Sequence, residues 1–410
     1  MEIPQVLKGF RDYLPQEQIA RRKIIAKISE VFERFGFAPI ATPSLESYDL
    51  FAGKLGEDEK LMYKFDDLGG RKVSLRYDLT VPLARVVANY PDLPKPFKRY
   101  QIAEVWRADK PQKGRFREFM QCDADIIGSD SEVADAEVIA ALNEAFKVLE
   151  IGEVVVRINN RGLIEKALEK IGVKKADRVK FLRIMDKMDK IGAEKVSAAL
   201  LEEGFAESVL KDYENEVRSM DREYEGRMQN LLAGFGVNNI QFDPYLMRGL
   251  DYYTGIIFEF FLKNKTDFGS VGGGGRYDSL IEKISGKPMP AVGGSIGLDR
   301  LFAALTDAGL IAPQTAAEVI VFNLDKKLVP DYLNIVTNLR AAGIDAEFYY
   351  ETTKLDKQFK YAEAKNTKIA VIYGTEEAKK KKVNLKNLQE KQQVTVDMDD
   401  LITEVKSMLW

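Results

Sequence analysis

Histidine is absent from this chain of 410 residues, and cysteine occurs only once. Histidine is the one residue whose ordinary pKa lies near neutral pH, so no imidazole of the chain can act as acid, base or metal ligand. The single Cys122 excludes an intramolecular disulfide. The usual zinc sites need histidine or several cysteines, so we predict no metal-ligating residue set. Any catalysis must rest on arginines, carboxylates and other polar groups.

Long apolar runs are also missing, near the amino terminus and elsewhere. No stretch is long enough for a signal peptide or a membrane span, so we expect a cytoplasmic protein with no membrane partner. The 61 basic and 64 acidic residues nearly cancel, giving a formal charge of -3. A polyanionic partner would therefore have to meet local basic patches. The length suggests about two or three domains.

Helices and strands alternate irregularly over the first part of the chain. Helical spacing of apolar residues over Gln16–Gly36 predicts an amphipathic first helix. Strand-like pieces follow over Phe37–Tyr77, and a second helix begins near Leu79. Two alternating segments within Phe97–Gly128 flank a polar loop, which predicts a long antiparallel hairpin. Ser131–Leu149 returns to helical spacing, with a serine suited to the helix start.

The remaining two-thirds of the chain divides into three kinds of sequence. Residues 162–235 contain little glycine and show helical patterns, which predicts a helical insertion. Strand character and glycine runs follow up to about residue 311. Beyond residue 317, three apolar strands alternate with helical stretches, which favours a small α/β domain with a largely parallel sheet. The predicted domains are residues 1–161 with 236–311, 162–235, and 317–410.

The loop of the predicted hairpin is rich in cations. Arg107, Arg115 and Phe119 are separated by even numbers of residues, so regular strand geometry favours a shared face. Two guanidinium groups and an aromatic ring suit a nucleotide, because the guanidinium groups can bind phosphate and the ring can stack on the base. On composition alone, a solvated and charged hairpin tip is an equally good interpretation.

Three segments in order resemble the motifs of class II aminoacyl-tRNA synthetases: Pro43–Glu46, the Arg107 hairpin, and Gly293–Arg300. Two further segments, Arg248–Gly255 and Gly273–Asp278, resemble the substrate-recognition signature of the histidyl-tRNA synthetase family. The resemblance extends from Lys8 to Gln358, which is nearly the full length.

This resemblance implies an α+β catalytic domain with a mainly antiparallel sheet, a helical insertion, and a C-terminal α/β anticodon-binding domain. It also implies ATP as substrate, Mg²⁺, L-histidine and tRNA(His) as partners, and a homodimer formed through the Pro43–Glu46 segment.

The resemblance also implies roles for individual residues. Arg107 would contact the ATP α-phosphate, Arg115 and Arg300 the polyphosphate, and Phe119 the adenine. The residues expected to bind ATP are Arg107, Asp109, Arg115, Phe119 and Arg300. Asp125 and Tyr253 would hold the imidazole of histidine, and Asp78, Thr80 and Gln121 its α-ammonium. The residues expected to bind histidine are Asp78, Thr80, Gln121, Asp125, Arg248, Tyr253 and Tyr277.

Arg248 carries the strongest catalytic expectation, together with Arg107. In this family the corresponding arginine approaches the α-phosphate from the side opposite Arg107, where charge develops as the carboxylate attacks. A structural ion pair with Asp251 is the simpler alternative. For Gln121 the alternative is a half-buried polar strand residue, and for Arg300 a charge on a helix surface.

Other segments have structural interpretations. The run Gly272–Gly275 lacks the spacing of a dinucleotide loop, so we predict close packing of strands there. Cys122 is predicted to be a small packing residue. Lys379–Lys382 is a candidate contact for a polyanion or a solvated charge run. Lys110 and Gln112 occupy places where relatives meet the end of the tRNA acceptor stem.

The sequence thus predicts a ligase that activates histidine with ATP and transfers it to tRNA(His). Attack of a carboxylate on a phosphate needs positioning and cations more than a protein base, so the lack of histidine is no obstacle. The alternatives are a non-catalytic relative, such as the regulatory subunit of ATP phosphoribosyltransferase, or a tRNA-binding sensor.

Overall fold

The chain divides into two compact units. A computed structural model describes residues 3–54, 56–112, 114–220, 222–247, 253–263, 268–312 and 314–409. The first unit comprises Met1–Arg11 and Ile24–Leu310, and the second comprises Asp12–Lys23 and Ile311–Trp410. No helix in these described ranges is both long and apolar enough to cross a bilayer.

An eight-stranded sheet forms the centre of the first unit, in the order β1-β5-β6-β11-β10-β9-β7-β8. Its strands are β1 Ala38–Pro39, β5 Phe97–Trp106, β6 Glu118–Ile127, β7 Val154–Asn160, β8 Ile240–Phe242, β9 Ile256–Leu262, β10 Ser270–Arg276 and β11 Ala291–Gly297. Only the edge pairs β1–β5 and β7–β8 are parallel. The predicted mainly antiparallel sheet is therefore confirmed. A separate antiparallel sheet contains β2 Leu45–Ser47, β3 Lys64–Asp66 and β4 Lys72–Leu75.

The long hairpin predicted over Phe97–Gly128 is formed by β5 and β6, which pair along their whole length. One face of β6 carries Cys122 and Ala124, both fully buried. Helix α3, Glu132–Val148, contributes a row of buried apolar residues and begins at Ser131, whose hydroxyl accepts a hydrogen bond from the Val133 N–H at 3.2 Å. Alternation along the strand leaves the opposite face of β6 for polar side chains.

The glycine runs lie where strands pack too closely for side chains. A Cβ atom on Gly274 would lie 2.0 Å from the Gly293 carbonyl oxygen, and one on Gly294 would lie 2.9 Å from Leu142 of α3. The predicted close strand packing is confirmed.

Helices flank the sheet and occupy residues 161–234. Helix α1, Pro15–Arg34, which the sequence predicts within two residues, belongs to the second unit up to Lys23 and to the first unit from Ile24. Helix α2, Thr80–Asn89, lies in the first unit. The insertion region contains α4 Arg161–Lys170, α5 Lys175–Met185, α6 Met188–Glu202, α7 Val209–Met220 and α8 Arg222–Gly234. Two further helices follow strands of the large sheet, α9 Asp278–Ser285 and α10 Leu298–Asp307. The division of residues 162–235 into a domain of their own stays a prediction.

The second unit contains a five-stranded sheet in the order β13-β12-β14-β15-β16. Its strands are β12 Val319–Val321, β13 Ala346–Phe348, β14 Ile369–Ile372, β15 Lys382–Asn387 and β16 Gln393–Asp397. Its helices are α11 Val329–Ala341, α12 Leu355–Ala364, α13 Thr375–Lys380 and α14 Leu401–Leu409. Strands β13, β12 and β14 are parallel, as predicted. The largely parallel expectation is wrong for β15 and β16, which form an antiparallel hairpin.

Candidate active site

The polar face of β6 forms the floor of a site in the first unit. Gln121, Asp123 and Asp125 alternate along the strand and share this face. Their register partners on β5 and β11 lie on the same face. These partners are Ala103 and Gly297 for Gln121, Gln101 and Ser295 for Asp123, and Arg99 and Gly293 for Asp125. The arrangement places two carboxylates, an arginine and two amides on one face of the sheet.

Asp125 is held on both oxygens. Its Oδ2 lies 2.7 Å from Nη2 of the fully buried Arg99. Its Oδ1 accepts a hydrogen bond from the Tyr277 hydroxyl. Burial raises the pKa of Asp125, while Arg99 and the Tyr277 hydrogen bond oppose that rise. Because a carboxylate offers about four lone-pair sites, Asp125 retains capacity to accept a further N–H.

Gly293 makes room for this carboxylate. A Cβ atom at position 293 would lie 1.8 Å from Asp125 Oδ1. The Tyr253 ring lies beside Gly275, which pairs with Gly293 across β10 and β11, and a Cβ atom on Gly275 would lie 2.8 Å from that ring. Tyr253 and Tyr277 are both buried, at 9% and 2% relative exposure. The predicted imidazole-binding residues are therefore brought together around a flat glycine surface.

Arg276 fixes the strand end that carries Tyr277, and the sequence reading assigned it no role. Its Nη2 lies 2.6 Å from Asp135 and its Nη1 lies 3.3 Å from Asp278. It also donates to the Ser129 carbonyl at 2.9 Å. Burial raises the pKa of Asp135 to about 6 against the effect of Arg276.

Asp78 lies at the start of α2, with Thr80 as the first residue of that helix. Its Oδ1 accepts a hydrogen bond from the Val81 N–H at 2.9 Å. Burial raises the pKa of Asp78, opposed first by that N–H and then by Arg107. Within the described ranges, its buried Oδ2 has no hydrogen-bond donor. The same holds in those ranges for Gln121 Oε1 and Asp123 Oδ1, so buried acceptors collect on one side of the floor.

Asp123 and Arg99 are site residues that sequence reasoning missed. Asp123 is 3% exposed and Arg99 is fully buried. Burial raises the pKa of Asp123 to about 7, which Arg99 opposes and the Asp125 carboxylate reinforces. The even spacing of Asp123 from Gln121 and Asp125 was the available signal, because it places all three side chains on one face.

Arg107 lies between two aromatic rings at the mouth of the hairpin. Its guanidinium carbon is 4.3 Å from the Tyr77 ring centroid and 5.2 Å from that of Phe119. Its Nε donates to the Tyr77 carbonyl at 3.1 Å. No carboxylate lies within ion-pair distance of Arg107 among the residues that the structure describes. The predicted neighbourhood of Arg107 and Phe119 is confirmed.

Arg115 is exposed, at the tip of the hairpin. Gln112 and Arg115 close the turn through reciprocal backbone hydrogen bonds of 3.2 and 2.9 Å. The tip packs against Arg300, since a Cβ atom on Gly114 would lie 3.4 Å from Arg300 Cγ. Arg300 in turn donates to the Ser270 carbonyl. The shared face of Arg115 with Arg107 and Phe119 stays a prediction.

Asp109 and Asp299 each accept a hydrogen bond from a residue of the hairpin. The Asp109 carbonyl accepts from Arg117 Nε at 3.1 Å. Asp299, which is 2% exposed, accepts from the Met120 N–H at 2.7 Å through Oδ2 and lies 3.5 Å from Arg11 through Oδ1. Asp299 thereby fixes the backbone beside Gln121, a role that no sequence pattern indicates.

The predicted roles of Arg248 and of Lys379–Lys382 are not tested by the contacts described above. Arg248 and Asp251 lie outside the described residues, so the catalytic role of Arg248 stays a prediction. Lys379–Lys382 is exposed, with Lys379 Nζ 2.8 Å from Glu376 and Lys382 Nζ 3.7 Å from Asp397. These contacts are typical of a solvated charge run, and a polyanion contact there stays a prediction.

Comparison with known proteins identifies the family. A family model for histidyl-tRNA synthetase matches residues 9–301, and a model for the anticodon binding domain matches residues 318–408. The histidine–tRNA ligase of Rhodopirellula baltica is 41% identical over 95% of this chain and 94% of that protein. The corresponding ligase of Wolinella succinogenes is 39% identical over 94% of each chain.

Solved structures have the same architecture. The histidyl-tRNA synthetase of Nostoc sp. PCC 7120 superposes with a TM-score of 0.86 and 31% identity, over 99% of this chain and 100% of that one. The apo S. aureus histidyl-tRNA synthetase matches with a TM-score of 0.72 over 98% of this chain and 99% of that one, and its 24% identity shows the fold alone. The class II architecture and the C-terminal anticodon-binding domain are confirmed. The chain belongs to the histidyl-tRNA synthetase family.

Proposed function

We propose that this protein activates L-histidine with ATP and transfers it to tRNA(His). The observation that carries the proposal is the buried juxtaposition of the Asp125–Tyr277 pair with the acceptors of Asp78 and Gln121. The first pair suits an imidazole and the second suits an ammonium group. Histidine carries both groups on one small molecule.

The imidazole half of the substrate would lie over the glycine surface between the tyrosines. An imidazole N–H needs an acceptor, and the Asp125 carboxylate has spare lone pairs. Arg99 holds that carboxylate from below at 2.7 Å. A polar pocket of this kind rejects isosteric apolar side chains by roughly 10⁴ to 10⁵, because its buried groups would be left unpaired.

The ammonium half would lie beside Asp78, Thr80 and Gln121. Asp78 Oδ2 and Gln121 Oε1 are buried acceptors with no donor in the described part of the chain. Burying such acceptors unpaired costs about 1–3 kcal/mol each. An ammonium group supplies three donors and removes that cost.

ATP would lie along the hairpin. Arg107 would contact the α-phosphate, Phe119 would stack on adenine, and Arg115 and Arg300 would meet the outer phosphates, with Asp109 nearby. The packing of the hairpin tip against Arg300 supports this division, because it puts both outer arginines at one end. Mg²⁺ would enter as part of the ATP substrate, which is its usual mode with nucleotides. It neutralises phosphate charge when bound.

In the first step a histidine carboxylate oxygen bonds to the α-phosphorus, and the bond from that phosphorus to pyrophosphate breaks. No proton is transferred, so no base is required. Arg107 meets the growing negative charge with a guanidinium preorganised between two rings, and Arg248 is proposed to do the same from the other side. In the second step the terminal tRNA hydroxyl attacks the activated carbonyl, the bond from that carbonyl to the phosphate oxygen breaks, and AMP leaves with the hydroxyl proton on its phosphate.

An exchange assay tests this function. Protein carrying no polyhistidine tag is incubated with ATP, Mg²⁺ and labelled pyrophosphate, with each amino acid in turn. We expect label to enter ATP with histidine only. Arg107→Ala should lower the rate by about 100-fold or more, as expected when a charge-stabilising donor is removed. Lys386→Ala, which removes a cation from the second unit, is the matched control. Absence of histidine-dependent exchange contradicts the proposal.

Non-catalytic alternatives are less well supported. An ATP phosphoribosyltransferase regulatory subunit/histidyl-tRNA synthetase from Bacillus halodurans C has a TM-score of 0.74 at 21% identity, which concerns the fold alone. The anticodon-binding match at residues 318–408 favours a tRNA substrate. A sensor would bind tRNA(His) without charging it, so binding and charging assays on the same preparation separate the two.

A homodimer and a cytoplasmic location complete the proposal. The small sheet that follows Pro43 exposes apolar side chains, with Leu45 at 42% and Phe65 at 50% relative exposure. Such a patch suits an interface between copies of the chain. Sedimentation velocity should show a dimer at micromolar concentration, and Phe65→Glu should shift it toward monomer. The cytoplasm is where a tRNA ligase meets its substrates.

A further inference from the structure

Ser295 links two polar residues of the site floor. It lies directly opposite Asp123 in the register of β11 and β6. The Ser295 hydroxyl lowers the pKa of the Asp123 carboxyl against the effect of burial. Its Oγ also accepts a hydrogen bond from Gln121 Nε2 at 2.9 Å. Ser295 therefore adjoins both Asp123 and Gln121 on the polar face of the sheet.

The contact with Gln121 fixes the direction of the amide. The Ser295 oxygen is the acceptor there, so Gln121 presents its amide nitrogen to Ser295. The hydroxyl proton of Ser295 remains available to the Asp123 carboxylate. Gln121 Oε1 is consequently turned away from Ser295, and it is buried without a hydrogen-bond donor in the described ranges.

We propose that Asp123 and Ser295 are positioning residues, which fix the Gln121 amide so that its carbonyl oxygen faces the α-ammonium of the substrate. The inference rests on the proposed histidine site. Without this Asp123–Ser295–Gln121 relay, the Gln121 amide could turn over. It would then present its NH₂ group to a cation, which is repulsive. The orientation of one amide thus becomes a determinant of amino-acid binding.

The burial of Asp123 argues against a merely structural pair. A serine and a glutamine can satisfy one another without a carboxylate, and a carboxylate at 3% exposure carries a desolvation cost. The charged groups facing Asp123 are Arg99, Asp125 and Asp78. One arginine among three acids compensates only part of their charge, and an incoming ammonium group would add to that compensation.

Two ligands test the proposal. Histidine and 3-(imidazol-4-yl)propionate share the ring and the carboxylate, but only histidine has the ammonium group. Equilibrium dissociation constants for both are measured with wild-type protein and with Ser295→Ala, Ser295→Thr and Gln121→Ala. Ser74→Ala, which removes a buried hydroxyl from the small sheet, is the matched control. Thermal unfolding of each variant checks that the fold is retained.

Ser295→Ala should weaken histidine binding about tenfold, the loss expected for a weakened hydrogen bond to a charged group. Binding of the propionate should stay the same. The ratio of the propionate dissociation constant to the histidine dissociation constant therefore falls by the same factor. Ser295→Thr, which keeps the hydroxyl, should restore the ratio, and Ser74→Ala should leave it unchanged.

Three results would overturn the relay or the site. If Ser295→Ala weakens both ligands equally, the role of Ser295 is structural and the proposal fails. If Gln121→Ala lowers the ratio but Ser295→Ala does not, the relay fails while the histidine site stands. If Gln121→Ala also leaves the ratio unchanged, the proposed ammonium site itself is wrong.

Discussion

At the scale of single residues, the site depends on Gly293 having no side chain. The Asp125 carboxylate occupies the space above Gly293 where any other residue would place its Cβ atom, 1.8 Å from Oδ1. The carboxylate cannot give way easily, because Arg99 and Tyr277 hold its two oxygens. The smallest substitution at this position therefore displaces the group that would meet the imidazole.

Gly293→Ala should reduce histidine-dependent exchange by about 100-fold or more, since a shift of about 1 Å at a reacting site costs that much. Gly226→Ala is the control, because a Cβ atom there meets nothing within 4 Å. That control lies inside α8 and should stabilise the protein by up to about 1 kcal/mol. Wild-type activity in Gly293→Ala would contradict this view of Asp125.

Asp123 should give the protein a measurable pH dependence. Its folded-state pKa of about 7 lies above the ordinary 3.8. Between these values the folded carboxyl keeps a proton that the unfolded chain has lost, so its contribution to stability falls as pH rises through this window. The slope for one group is at most about 1.4 kcal/mol per pH unit. No imidazole of the chain contributes, since histidine is absent.

Urea unfolding of wild type and Asp123→Asn at several pH values measures this contribution. The difference in unfolding free energy, wild type minus variant, should decrease from pH 4 to pH 7 and level off above it. The exposed Asp400→Asn serves as a control for losing an aspartate. A difference that stays constant, or that increases with pH, would show that Asp123 is not a destabilised buried acid.

At the scale of secondary structure, the sequence predicted the elements that have regular patterns. The β5–β6 hairpin and α3 follow their periodicity, and Ser131 caps α3 as expected. The β15–β16 hairpin was missed because its second strand is short and almost wholly exposed, so it has no apolar alternation to detect. The Gln112–Arg115 turn could not be predicted in detail, because even spacing along a strand says nothing once a loop intervenes.

The cap of α3 offers a test at this scale. Ser131→Ala removes the acceptor for the Val133 N–H and should lower the free energy of unfolding by about 1 kcal/mol. Ser131→Asp supplies an equivalent acceptor and should recover most of the loss. Exchange activity should be unaffected in both variants. Equal stability of Ser131→Ala and wild type would mean that the cap contributes nothing.

At the scale of the whole molecule, the first unit carries the candidate active site and the second contains the match to the anticodon binding domain. Resemblance placed Asp78, Gln121, Asp125, Tyr253 and Tyr277 in one site, and the structure gathers their elements on one face of the large sheet. It could not find Arg99, Ser295 or Asp299, because their importance arises from partners far away in sequence. Only the folded sheet shows that Arg99 lies under Asp125.

The most direct test of the central claim is aminoacylation of tRNA(His) by the full chain. Labelled histidine, ATP and Mg²⁺ are supplied, and acid-precipitable label on the tRNA is measured over time, with an unrelated tRNA in parallel. We expect charging of tRNA(His) by histidine and by no other amino acid, and its loss in Arg107→Ala. Binding of tRNA(His) without charging, by protein whose fold is intact, would contradict the assignment of this chain as a ligase.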